Sequence, residues 1–161
     1  MGHSTEGMDS DRIEQIRRGL AANLDGIRTA RDCQLSAYLL DNPTGPSLQV
    51  AGFEGIEAQA YGPTWLVGVV IEGATPLAGG SRGAYARFDE WLLGDFTVWD
   101  AIETDQTLTS RLRDNGSVLA GQSPVADSVA VQEFRGYRRG RSANQVEMLF
   151  GDWLVQVLTS G

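Results

Sequence analysis

At 161 residues and 42% hydrophobic, the chain is long enough for one domain with an ordinary core that needs neither disulfide nor metal support. A net charge of −8 and a pI near 4.5 argue against a general nucleic-acid binder, which gains affinity by laying a basic face on phosphates. His3 is the only histidine, Cys33 the only cysteine, and all 13 basic residues are arginine, which excludes Ser-His-Asp and Cys-His triads, Cys/His zinc clusters, the phosphate-loop lysine and Schiff-base chemistry.

Residues 1–9 read as a disordered leader without a signal-peptide pattern, so the chain is expected to fold in the cytosol of the cell that makes it. Residues 10–161 read as a single α+β domain. Asp11 and Glu14 mark a helix start, and Ile13, Ile16, Leu20 and Leu24 recur at helical spacing until Asp25-Gly26 ends the helix. From Gln34 the period becomes two. Leu35, Ala37 and Leu39 define a strand closed by the breaker-rich segment 41–46, and a second strand follows from Ser47 to about Phe53. Thr64 to Glu72 is the clearest strand: Trp65, Val67, Val69 and Ile71 share one face, and Leu66, Gly68 and Val70 the other. Both faces are apolar. That predicts a central strand with helices on one side and another layer, or a neighbouring subunit, on the other. The run from Trp65 to Ile71 is far shorter than the roughly 20 residues a membrane-spanning helix needs, so no membrane span is expected.

Ser81 is placed to cap a second helix with a Tyr85, Phe88, Leu92 stripe that ends near Gly94, and Val98, Ala101 and Ile102 predict a short third helix. Residues 105–127 read as helical turn and loop. Val129, Val131 and Phe134 begin a strand, and Trp153, Val155 and Val157 alternate in another, with an exposed arginine-rich loop between them. The order predicts a mixed or antiparallel sheet of about four to five strands with two to three helices packed on one face.

Few residues offer chemistry. Cys33 reads as a small buried apolar residue. The glycine-rich segment 73–83 lacks Gly-Lys-Ser/Thr and Gly-x-Gly-x-x-Gly, so it reads as a connector, and no cofactor is expected. Asp89, Glu90, Asp95, Asp100, Glu103 and Asp105 fall mostly on solvated helix faces and show no metal-loop pattern. The nine acidic residues from Glu54 to Asp105 oppose only Arg82 and Arg87, whereas four arginines crowd into seven positions. Two surfaces of opposite sign are therefore expected. Arg135, Tyr137, Arg138, Arg139 and Arg141 form the candidate interaction surface, whose guanidinium forks suit carboxylates of a protein partner ahead of phosphates, the alternative being charges simply solvated at a hairpin tip.

Five blocks resemble the tail-terminator, or tail-to-head joining, proteins of long-tailed bacteriophages, particularly those of actinobacterial hosts. They are Ile16 to Leu24, Ala37 to Val50, Val69 to Ala74, Phe88 to Gly94 and Val98 to Leu108, the last of "Ala-Ile-Glu-x-Asp-x-Thr-Leu" form, followed by a strand with Gly136-Tyr137. The resemblance implies a non-enzymatic virion protein at the head-tail junction, assembled in the host cytoplasm. Six copies would form a homo-hexameric ring that caps the tail tube protein and meets the head-completion or connector proteins, with viral DNA passing through the lumen without specific binding. An acidic lining drawn from residues 54–105 would repel that DNA. The alternatives are a head-completion or other connector protein of the same virion, a cellular protein-binding domain and a small carboxylate-dependent hydrolase.

Overall fold

The computed structural model describes residues 9–40, 43, 45–58, 64–78 and 80–160. Helix α1 (Ser10–Asn23) is capped by Asp9, whose carboxylate accepts from the Arg12 backbone N–H, so the cap lies two residues before the predicted Asp11. The predicted stop at Asp25-Gly26 is a correction: a second helix, α2 (Asp25–Arg31), starts there at once. Gly26 serves packing instead, since a Cβ at this position would stand 3.0 Å from the Phe96 ring. The left-handed residue that ends this helical stretch is Asp32, at φ 52°.

Strand β1 (Gln34–Ser36) is shorter than expected and pairs parallel with β2 (Ser47–Ala58). β2 runs antiparallel to β3 (Thr64–Pro76) through two irregularities, at Ala51 and Glu54. Helix α3 (Ser81–Leu93) has Gly80, not Ser81, at its cap, and its inward stripe is Ala84, Phe88 and Trp91. Of the predicted stripe only Phe88 is fully buried; Tyr85 is exposed and Leu92 half-buried. Helix α4 (Val98–Ile102) buries Val98, Ala101 and Ile102 as predicted and opens with a capping box in which Thr97 and Asp100 bond each other's backbone.

The segment read as turn and loop contains a two-stranded hairpin, β4 (Arg111–Leu112) and β5 (Val118–Leu119), turned by Asp114-Asn-Gly116. Asp105 organises the approach to it, accepting from the Thr109 backbone N–H at 2.7 Å and the Thr109 hydroxyl at 2.8 Å. Burial alone would raise the Asp105 pKa; bonds from Thr109 and Thr107 hold it below the usual value. A depressed folded-state pKa contributes stability above the unfolded value of about 3.9 that is lost as pH falls through the folded one. Asp105→Asn is therefore expected to lower stability by about 1 kcal/mol at pH 7. The gap to the parent should close below about pH 4. Thermal melts of both proteins from pH 7 to 2.5 check this, and a gap that stays constant would count against it.

The chain ends with β6 (Ser128–Arg141) and β7 (Glu147–Ser160), so the arginine-rich segment is itself strand and the connection is residues 142–146, a second correction. The five-stranded sheet has the order β1-β2-β3-β7-β6, antiparallel apart from β1. It is an α+β fold with a mixed sheet, and the four helices among the described residues lie on one face, α2 being the one the sequence did not separate. The core lies between that face and the helices: Ile16, Leu20, Leu24, Ile27, Phe88 and Trp91 meet Leu48, Val67, Val69, Ile71, Trp153 and Val155. Each such aliphatic or aromatic side chain contributes roughly 1.5–3 kcal/mol by leaving water.

Candidate interaction surface

The second face of the sheet carries no helix among the described residues. Because β3 turns Trp65, Val67, Val69 and Ile71 to the core, the pleat places Leu66, Gly68, Val70 and Glu72 on this open face. Register sets Leu158, Gln156, Leu154 and Asp152 of β7 directly beside them. Leu66, Val70, Leu154 and Leu158 are only half-buried, although they occupy the two central strands. On β2 this face is bare, because Gly52 and Gly55 pair with Val70 and Gly68 and a Cβ at either glycine would meet nothing within 4 Å. A hollow of about 200 Å³ results, between Glu54, Glu57, Leu66, Gly68, Leu154 and Gln156.

The arginines of β6 reach across this face. Arg135 holds Glu54 of β2 in a two-pronged ion pair, keeping the Glu54 carboxyl below the usual range. Arg138 bonds Glu72 and stands 3.0 Å from Asp152, with its guanidinium 5.2 Å from the centre of the Phe150 ring. Burial alone would lower the Arg138 pKa; Asp152 and Glu72 overcome it and raise it. The expected separation into an acidic and a basic surface is thus corrected: part of the acidic stretch and part of the arginine run neutralise each other. Sequence gave no sign of these partnerships, because Arg135 and Glu54 lie 81 positions apart and meet only through strand order.

Tyr137 lies on the helix side. Its ring meets Tyr85, Phe134 and Phe88 edge-on at 5.0, 5.3 and 5.4 Å, and its hydroxyl donates to Asp89 at 3.2 Å. Burial and that carboxylate raise its pKa. Arg139 and Arg141 are exposed and share a single carboxylate, Glu147, at 3.9 and 3.7 Å. The five sequence-selected residues therefore divide three ways and form no single patch. A second hollow, of about 280 Å³, opens beside Arg141, between Leu39, Leu40, Pro43, Gln49 and Phe150.

A search of family models finds none that matches this sequence, and a search of curated proteins finds no match. Among solved structures, a chain of "Virion of native gene transfer agent (GTA) particle" is similar, at 15% identity with a TM-score of 0.43. The alignment covers 93% of this chain and 92% of that one.

Other polar groupings serve the fold. Arg12, Arg18 and Arg111 border a hollow of about 410 Å³ with Gln15 and Gln122. Their donors are engaged: Arg12 bonds Thr159 and the Ser160 carbonyl, Arg18 bonds Glu14 and Asp114, and Arg111 bonds the carbonyls of Leu108, Ser110 and Ser123. Among the described residues no three His, Cys, Asp or Glu side chains come together as metal ligands would, and no helix is long and apolar enough to cross a membrane. His3 lies outside the described residues. Cys33 is buried, as expected, and its thiol is pushed up to about 11 by that burial. Only about a thousandth of it is thiolate at pH 8, so labelling by a thiol reagent should run at least about a hundredfold slower in native than in denatured protein.

Proposed function

We propose that this protein is a structural component of a tailed-phage virion: a tail terminator whose copies form a ring that caps the tail tube and joins it to the head-completion proteins. It acts by assembly and not by catalysis, in the host cytoplasm and then at the head-tail junction of the virion. The observation that carries this reading is the open sheet face, where the two central strands present half-buried Leu66, Val70, Leu154 and Leu158 with no covering layer among the described residues. Central strands apolar on both faces are stable when both faces are covered, and in a ring the neighbouring copy supplies the missing cover. The five sequence blocks that resemble tail terminators support the same reading. The net charge of −8 suits a ring whose lumen passes DNA without retaining it.

Negative-stain imaging of the protein with and without purified tail tubes tests the proposal. Rings at one end of the tubes are expected. A protein that ignores tubes but binds portal or connector rings would belong on the head side of the junction, and one that binds neither would overturn the assignment.

A further inference from the structure

On the helical side, away from the open face, the end of α3 and the start of α4 form an exposed apolar corner. Leu93, in the last turn of α3, is 83% exposed and is the most exposed of the large hydrophobic residues described; Trp99, in the first turn of α4, is 45% exposed. Between them Phe96 packs inward on Gly26 of α2, which anchors the connection and leaves the two outer side chains uncovered. Exposed tryptophan is the residue type that most often anchors a protein contact.

The charge around this corner has one sign. Residues 88–110 hold six carboxylates and no basic residue. Asp95 is exposed and has neither a hydrogen bond nor an ion pair among the described residues. Asp100, also exposed, accepts from the Thr97 backbone N–H through one oxygen at 3.2 Å and has the other free. Arg28, two positions beyond Gly26, is held by Asp25 and does not neutralise them. The C-terminus of α3 adds the negative end of its helix dipole, and no basic residue in its last turn offsets it. These groups share one kind of ligand: an indole face attracts a cation, free carboxylates pair with it, and a helix C-terminus favours it.

We propose that the Leu93/Trp99 corner docks a cationic segment of another protein. An arginine or lysine of that partner lies over the Trp99 indole beside Asp95 and Asp100, and a neighbouring aliphatic side chain covers Leu93. A second copy of this chain suits the corner poorly. At a net charge of −8 the copies repel one another, and most of the arginines already bond carboxylates or carbonyls of their own chain. A partner with excess positive charge is drawn to the corner, gaining selectivity and speed of encounter more than raw affinity. Such docking is independent of ring formation, since it uses neither the open face nor a neighbouring copy.

NMR titration of the isotope-labelled full chain with a capped Arg-Leu-Arg peptide tests this. The Trp99 indole N–H and the backbone amides of Leu93 and Asp95 should shift together and saturate, while the indoles of the fully buried Trp91 and Trp153 stay in place and report an intact fold. Trp99→Ala and Asp95→Asn should each weaken binding by about two- to fivefold, the value of an exposed cation–π contact or ion pair. Capped Arg-Gly-Arg should bind about threefold less tightly for want of the apolar contact. Added salt should weaken binding further, and capped Glu-Leu-Glu should not bind. No response to Arg-Leu-Arg from the folded protein, a response centred on other carboxylates such as Glu57, or equal binding by Trp99→Ala and its parent would overturn the proposal. Shifts of the same signals on raising the protein concentration alone, abolished by Asp95→Asn, would make the occupant a second copy and overturn it as well.

Discussion

Gly151→Val should reduce stability by roughly 3 kcal/mol or more, the upper end of what overpacking a core costs. A Cβ at Gly151 would lie 2.8 Å from the rings of both Phe134 and Phe88. Its register partner Gly73 is as tightly placed, 2.8 Å from Trp91 and 3.0 Å from Trp153. Two facing glycines on the central strands thus leave bare backbone against which a largely edge-to-face cluster of Phe88, Trp91, Phe134, Tyr137 and Trp153 packs. None of these rings is free to withdraw, because each is wedged against another at centroid distances of 5.0 to 6.3 Å. For a chain of this size each kcal/mol lowers Tm by about 2–4 °C, so a fall of roughly 6–12 °C is expected. Gly55→Ala, which adds a methyl where nothing stands within 4 Å, is the control and should leave Tm almost unchanged. Equal melting of Gly151→Val and its parent would mean that the aromatic layer does not rest on these strands.

Arg138→Ala should have the next largest effect, about 2 kcal/mol at neutral pH, below the value for a fully buried pair because Arg138 itself is half-exposed. The loss comes from what stays behind. Glu72 and Asp152 are register partners on adjacent strands, with side chains only 14% and 22% exposed, and without the guanidinium two like charges face each other on the sheet. Arg138→Lys should recover only part, since one ammonium does not reproduce the fork that reaches both carboxylates. Adding Glu72→Gln and Asp152→Asn to Arg138→Ala should restore most of the stability. Urea unfolding of the four proteins checks this; a triple variant no more stable than Arg138→Ala would show that lost packing on Phe150, and not charge, sets the cost.

Elements with long, regular periods were legible in the sequence. α1, β3 and β7 fall where spacing predicts, because their buried positions are set locally by pleat or helical turn, whereas β2 starts at the predicted Ser47 but runs on past Phe53 to Ala58. The misreadings share a cause, which is that tertiary contact overrides a local signal. Gly26 reads as a helix stop until Phe96 packs on it, and four arginines in seven positions read as a solvated loop until Glu54, Glu72 and Asp152 arrive from other strands. The hairpin from Arg111 to Leu119 has two residues per strand, too few for any period. At the candidate surface, the sequence marked Thr64 to Glu72 as largely apolar on both faces, because a period of two places Val67 and Val69 on one and Leu66 and Val70 on the other.

The position of β7 has a consequence for how the molecule is made. Residues 147–160 are synthesised after the other strands described here, yet they lie between β3 and β6 and pair with both along almost their whole length. Until they leave the ribosome, Val67, Val69 and Ile71 have no partner strand on one side and the helices have half a floor to rest on. Sheets closed by such distant pairing form in milliseconds to seconds, far more slowly than helices. The core therefore stays open until residues 147–160 have been made, and the surfaces that rest on β7 form together when it inserts between β3 and β6.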